Sequence, residues 1–401
     1  MPACLPAWCA CDVQFGVWAC SDDCSGECVP PFGPAGPLSY LIIDLGTLGG
    51  DFSRARAINN LGQVVGWAEC ADGAHAFLWE HGTMTDLGGP YEDEHSYAND
   101  ISESGHVVIS SANRAYLWYN GTTQLIQGLG PSVTAHPYAV NSLGQVVGTS
   151  TVASGTSHAF LWHNGEIRDL TEEGFGSWAW DISNAGHVVG GSSLWQDGIV
   201  TDLGSLLGGG PAYGAGVNDL GQVVGSGHAR PDDVDPFLIH AFLWENEVIR
   251  DIGVHSTLRH SEAVAINNLG QVVGLQRQNG GEYYGFLYDS EAGMRNLHDL
   301  IPMDGPWWYW LRIDPEDIND AGQIVGTAEF DGLYHAFLMT PIDADFDDDD
   351  DSDLYDFAAF QSCMTGPGAP VQAECRAYDI NRNGRIDMDD LRVLQWVFTG
   401  Q

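Results

Sequence analysis

The sequence predicts an all-β fold, a closed ring of seven four-stranded blades followed by a small helical domain. Three observations carry that prediction. A motif of the type "INNLGQVVG" recurs seven times, the strand-like segments between copies are separated by hairpin signals, and the two ends of the repeat region complement each other. Composition sets the frame. The 401 residues hold 51 Gly and 44% hydrophobic residues, enough for a core cut by many tight turns. The net charge is −41, with 55 acidic residues against 14 basic ones. Such a surface repels phosphate backbones and anionic lipid, so nucleic acid is excluded as a partner class, and no run of 18 apolar residues suggests a membrane span.

The motif glycines are Gly62, Gly105, Gly144, Gly186, Gly221, Gly270 and Gly322, spaced 43, 39, 42, 35, 49 and 52 residues apart. The nine residues Ile58–Gly66 return unchanged at Ile266–Gly274. "HAFLW" or a variant follows each motif, beginning at His75, Arg114, His158, Ser192, His240, Tyr284 and His335. A third element of the "MTDLG" type comes next. Each unit therefore reads as four strands. The first ends in "IN", the second starts at "VVG", and "HAFLW" and "MTDLG" are the third and fourth. β-Branched and aromatic residues dominate all four. "NNLGQ" suits a tight turn with a left-handed Gly, and "HNG", "YNG" or "QDG" suits a two-residue hairpin with positive φ at both positions.

About 42 residues and four antiparallel strands per unit match a β-propeller blade. The last copy stops at "HAFLMTP" without a fourth strand, while "SYLIIDLG" near residue 40 is a fourth strand without the other three. If Tyr40–Leu45 completes the last blade, the ring is fastened and no sheet edge stays open. The domains expected are a Cys-rich segment at 1–38, the propeller at 39–341 and a further module at 342–401. His75, His158, His240 and His335 hold one repeat position, which points to a repeated structural role rather than to catalysis.

The "INxxGQVVG … HAFLW … DLG" order resembles the HAF-repeat family of extracellular bacterial proteins. That resemblance covers about residues 39–341 and implies export but no defined activity. In a propeller the strand 1–2 and 3–4 turns share one face, and here they are short. The strand 2–3 and blade-to-blade connections share the other face and are long and variable. Recognition is expected on that second face. There Trp307, Trp308, Tyr309 and Trp310 form the most unusual loop, offering stacking surfaces for sugar rings or a protein partner.

After Pro341 the character changes. "DINRNGRIDMDD" puts Asp379, Asn381, Asn383, Asp387 and Asp390 at positions 1, 3, 5, 9 and 12 of a twelve-residue calcium loop, with Gly384 at the sharp turn and Ile386 at the hydrophobic position. Alternate residues of such a loop turn hard oxygens inward, which suits Ca²⁺. Thirty-four residues earlier, Asp345, Asp347, Asp349, Asp353 and Asp356 take the same places. Apolar i, i+3 spacing after each loop suggests a helix. The pair resembles a dockerin type I module, an EF-hand-like domain with Asp at position 12. That resemblance implies two Ca²⁺ and a cohesin-like or cell-surface partner. Asp350 stands where Gly is expected and Ser352 where an apolar anchor belongs, so the first loop departs from the pattern.

Six of nine cysteines lie within the first 28 residues, without paired C-x2-C spacing. Disulfides in an extracellular or cell-surface setting are the expectation, although no clear signal peptide precedes them. Cys363 and Cys375 are placed to bridge the two halves of the calcium module, and Cys70 is left as the odd thiol. The function expected is an exported, non-enzymatic binding or scaffold protein. Its propeller would recognise a glycan or protein, and its C-terminal module would bind Ca²⁺ and anchor it. The competing expectation is a carbohydrate-active enzyme, a glycosidase or lyase on the same scaffold. The propeller acids show no spacing that marks a catalytic pair.

Overall fold

The computed structural model describes residues 39–342, except 89–94, 131–133, 208, 230–237, 256–257, 279–280, 302–309 and 331. It also describes residues 363, 375 and 386. Seven four-stranded antiparallel sheets follow one another around a ring. The ring contains no α-helix among its described residues, only two short 3-10 turns at Thr171–Glu173 and Leu297–Leu300.

Each blade starts on its innermost strand. In blades 1 to 7 these are Ser53–Ile58, Ser96–Ile101, Ala135–Val140, Asp181–Ile182, Tyr213–Val217, His260–Ile266 and Trp310–Ile318. The second, third and fourth strands follow outward in chain order in the first six blades. Blade 7 is the exception that closes the ring. Its fourth strand is Ser39–Asp44, which pairs with Leu333–Ile342 from Ser39↔Ile342 to Asp44↔Phe337. The fastening expected from the two incomplete ends is therefore present. Tyr40 is fully buried there, and its hydroxyl donates to the Gly322 carbonyl at 3.1 Å.

The repeat letters each have a packing reason. The phenylalanine of "HAF" is fully buried at Phe77, Phe160, Phe242 and Phe337, and Phe286 takes the same place in blade 6. The valines of "VVG" are likewise inaccessible at Val64, Val65, Val146, Val147, Val223 and Val224. A Cβ on Gly66 would lie 1.9 Å from the Arg54 carbonyl oxygen of the first strand, so the strands approach too closely for any other residue. The same contact recurs at Gly148, Gly190, Gly225, Gly274 and Gly326. Opposite it, the first strand bulges, as between Ala55 and Ala57 in blade 1. Blade 2 carries Ile109 at this position.

The turns also match. The motif glycines have φ between 71° and 83°, as with Gly322 and Gly105, and the two-residue hairpins place Asn120, Asn164 and Asp197 at φ of 47° to 51°. Each "HAF" histidine meets the aspartate of its blade's "DLG"-type strand. The Nδ1–Oδ2 distances are 2.9 Å for His75–Asp86, 2.7 Å for His158–Asp169, 2.9 Å for His240–Asp251 and 2.8 Å for His335–Asp44. The repeated histidine thus does a repeated structural job, clamping the third strand to the fourth.

Candidate functional site

Two ends of the ring axis offer different chemistry. At the short-turn end, the residue after each first strand is Asn59, Ser102, Asn141, Ser183, Asn218, Asn267 or Asn319. In the five Asn blades, Oδ1 accepts from the backbone of its own turn, as with Gln63 N at 3.0 Å. The Nδ2 donates to the carbonyl of the next blade, as from Asn267 to Asn319 at 2.9 Å and from Asn319 to Asn59 at 3.0 Å. That last bond crosses the junction between blades 7 and 1. One residue further out, turn amides donate to side chains of the next blade, as from Asn268 N to Asp320 and from Asp320 N to Asn60.

Inside this girdle lie three carboxylates, Asp100, Asp181 and Asp317, on blades 2, 4 and 7. Each accepts from its own next amide and from the first strand of the following blade. Asp100 takes Val140 N at 2.7 Å, Asp181 takes Val217 N at 2.8 Å and Asp317 takes Ile58 N at 2.9 Å. They line a narrow space of about 140 Å³ together with Glu103, Asp219 and Asp320. Burial raises their pKa values, to about 7 for Asp100, to about 6 for Asp181 and well above the usual range for Asp317. Mutual repulsion adds to this at Asp100 and Asp317. The three carboxylates are not among the described groups whose ligand atoms lie within 4.8 Å of one another. The three aspartates tie blade 2 to 3, blade 4 to 5 and blade 7 to 1 through carboxylate–amide bonds, and the space between them is small.

The long-loop end differs from blade to blade. The carbonyls that meet the recurring "VVG" glycines mark one register place near that end, held by Arg54, His136, Trp178, Tyr213, Glu262 and Asp314. Tyr97 holds it in blade 2, where it pairs with Ser110. Two of these side chains reach the preceding blade. Arg54 forms an ion pair with Glu316 of blade 7, and Tyr97 packs edge-on against Trp67 of blade 1 at 5.4 Å. Trp178 is 47% exposed and Tyr213 55%. Trp180, at the neighbouring bulge, packs against Tyr138 at 4.6 Å and is itself exposed. A hollow of about 430 Å³ opens here, lined by His95, Tyr97, Ser110, Ser111, Ala112, Asn113 and His136. Blade 2 turns between its second and third strands at Ala112 and Asn113, at φ of 47° and 63°, and the whole hairpin is short, with Tyr116 nine positions after Val107 where Phe77 stands 13 after Val64 in blade 1. Blade 3 spends five residues on the same connection, between Thr151 and Ser157.

Residues 211–336 match a family model described as "Protein of unknown function (DUF3466)". The matched stretch covers blades 5 and 6 and most of blade 7. No curated protein matches the chain. Among solved structures, TolB from Acinetobacter baumannii aligns at 13% identity and a TM-score of 0.36, over 73% of this chain and 64% of that one. The chain thus spans less than two thirds of TolB. The gluconolactonase XC5397 from Xanthomonas campestris aligns at 12% identity and 0.37, over 77% and 99%. The β-propeller domain of the Trilobed protease from Pyrococcus furiosus aligns at 9% and 0.43, over 72% and 97%. The propeller reading rests on the strand order itself.

The aromatic loop expected to bind ligand is placed in part. Trp310 opens the innermost strand of blade 7, in register with Phe330, while Trp307, Trp308 and Tyr309 lie outside the described residues. All ten residues expected to hold Ca²⁺, from Asp345 to Asp390, lie outside them as well. Of that module, a disulfide joins Cys363 to Cys375, as their positions suggested, and Ile386 is fully buried. Among the described cysteines, Cys70 is the free one. Sequence reasoning missed the axial aspartates and the hollow. The former had a signal, since three of seven copies carry Asp directly before the motif's Ile: Asp100, Asp181 and Asp317. The latter is harder to see, because it goes with the shortness of one blade's whole hairpin beside its neighbours.

Proposed function

We propose that the chain is an exported, non-enzymatic binding protein that takes a glycan at the long-loop end of its propeller. The observation that carries this reading is the hollow between blades 2 and 3, beside exposed aromatic rings. Tyr97 supplies a flat apolar face of the kind that covers a sugar ring, and Trp178 and Tyr213 offer similar faces further round. Ser110, Ser111, Asn113, His95 and His136 offer donors and acceptors for hydroxyl groups. Trp307, Trp308, Tyr309 and Trp310 extend the same recognition surface in this reading. Its alternative occupant is a protein partner.

Among the described residues no carboxylate lines the hollow, which favours binding over glycoside cleavage there. Two acids of blade 7 at the same end are engaged. Glu316 holds Arg54 and Arg56, and Asp314 holds Arg312. A glycosidase or lyase on this scaffold remains the competing proposal. In the proposed arrangement, residues 342–401 bind two Ca²⁺ and dock to a cohesin-like or cell-surface partner. The Cys363–Cys375 disulfide supports an oxidising, extracellular setting.

The test is a titration of neutral and acidic oligosaccharides followed by tryptophan fluorescence, with product analysis on the same samples. Saturable binding without cleavage, weakened in Trp178→Ala and Tyr97→Ala, is the expected result. Turnover would establish the enzyme reading instead. A chelator is expected to abolish docking and leave glycan binding intact.

A further inference from the structure

We propose that blade 1 carries a site for a borderline divalent cation of the zinc type, formed by Cys70, Asp72 and His75. Their ligand atoms all lie within 4.8 Å of one another. Cys70 Sγ is 3.1 Å from Asp72 Oδ1, and His75 Nε2 is 3.9 Å from that same oxygen. Tetrahedral ligands held about 2.0–2.3 Å from a zinc ion stand roughly 3.3–3.8 Å apart, so these spacings bracket what the ion needs. Thiolate, imidazole and carboxylate together suit zinc-like ions rather than Ca²⁺ or Mg²⁺.

A second observation orients the imidazole. Asp86 is a carboxylate that accepts His75 Nδ1 at 2.9 Å, so Nδ1 carries the proton. Asp86 is itself held, accepting the Gly88 amide at 2.6 Å. The lone pair is thereby left on Nε2, the nitrogen that faces Asp72. A carboxylate behind the ring and an open nitrogen in front is the arrangement that supports metal-ligating histidines.

The other blades show what is particular here. The His–Asp clamp recurs in blades 3, 5 and 7. Counted from "VVG", the place of Cys70 is held there by Val152, Ala229 and Phe330, none of them a metal ligand. In blade 3 the Nε2 of His158 meets Thr156 Oγ1 at 3.3 Å instead. Blade 1 has thus converted a structural pair into three ligands by changes in one hairpin. The cation displaces the thiol proton to solvent, and water fills the remaining coordination position. The hairpin abuts the proposed recognition site, since the Ala74 amide donates to His95, a wall of the hollow. The metal proposal itself rests on the hairpin's own geometry and is independent of any glycan reading.

The test titrates Co²⁺ and Zn²⁺ into the full chain with Ca²⁺ saturating, by absorbance and calorimetry. The parent is compared with Cys70→Ser, His75→Gln and Asp72→Asn, with His158→Gln as the same-place control. We expect a thiolate-to-cobalt charge-transfer band and one Zn²⁺ equivalent that vanish in Cys70→Ser and His75→Gln but persist in His158→Gln. Asp72→Asn, at an exposed carboxylate, is expected to fold normally and bind at least tenfold more weakly. Asp86→Asn is expected to lose 10- to 100-fold in affinity. Equal stoichiometry and band in the parent, Cys70→Ser and Asp72→Asn would overturn the proposal. So would peptide mapping that finds Cys70 in a disulfide.

Discussion

The two ends of the ring axis are built from the same seven strands and have opposite characters. At the short-turn end the copies agree, and polar groups there are spent on neighbouring blades. Asn267 bonds to Asn319, and Asn319 to Asn59 across the closure. At the long-loop end one register place holds an arginine, two tyrosines, a histidine, a tryptophan and two acids. Repetition marks the end that assembles the ring. Divergence marks the end free to recognise something else. A residue that must bond its own copy one blade away cannot drift without loss, whereas a residue facing open space can.

The largest expected effect comes from cutting the girdle at the closure. Asn319→Ala removes donors and acceptors to Asn59, Gln323 and Ala321 in a buried position. It should cost about 3–5 kcal/mol, since several buried partners are left unmade at once. Denaturant unfolding checks this, and glycan affinity in the still-folded fraction should be unchanged.

The axial carboxylates sharpen the contrast through pH. Asp100 titrates near 7 when folded and near its ordinary 3.8 when unfolded. Between those values the folded chain holds the extra proton, so stability falls as pH rises through that window, and this contribution is gone above about 7. Asp181 acts in the same sense with a folded value of about 6. Asn can accept from only one of Ile101 N and Val140 N, so Asp100→Asn loses a bond at every pH, but its effect on stability should be more favourable by about 2 kcal/mol at pH 8 than at pH 4.5. Thermal melts at both pH values decide it. An equal shift at both would show that the carboxylate is not buried as described.

At the other end the signs reverse. Trp178→Ala should lower glycan affinity about tenfold, equivalent to about 1.4 kcal/mol, and scarcely move the melting temperature, because the ring is half exposed. Smallest of all is Leu61→Ser at an exposed turn tip. It should change stability by less than about 0.5 kcal/mol and leave binding alone, as fluorescence titration would show.

Legibility in the sequence follows the same division. Strand order, turn positions and the closing strand were readable because they repeat. "VVG" and "HNG" each encode a local steric demand, a close strand contact or a positive φ. The clamp between "HAF" and "DLG" was half readable. Both letters recur, but their meeting depends on cross-strand register, which spacing alone does not display. The hollow went unread, because it goes with a difference in hairpin length between neighbouring blades. The cation cluster escaped for a related reason. Cys70 occurs once in the propeller, so no repetition called attention to it.

The most direct measurement is hydrogen exchange with and without a bound oligosaccharide from the panel. Slowed exchange is expected around residues 95–97, 110–113, 136 and 178, with the amides of Asn60, Glu103, Asp219, Asn268 and Asp320 unchanged. Protection at those turn amides and none around the hollow would contradict that expectation.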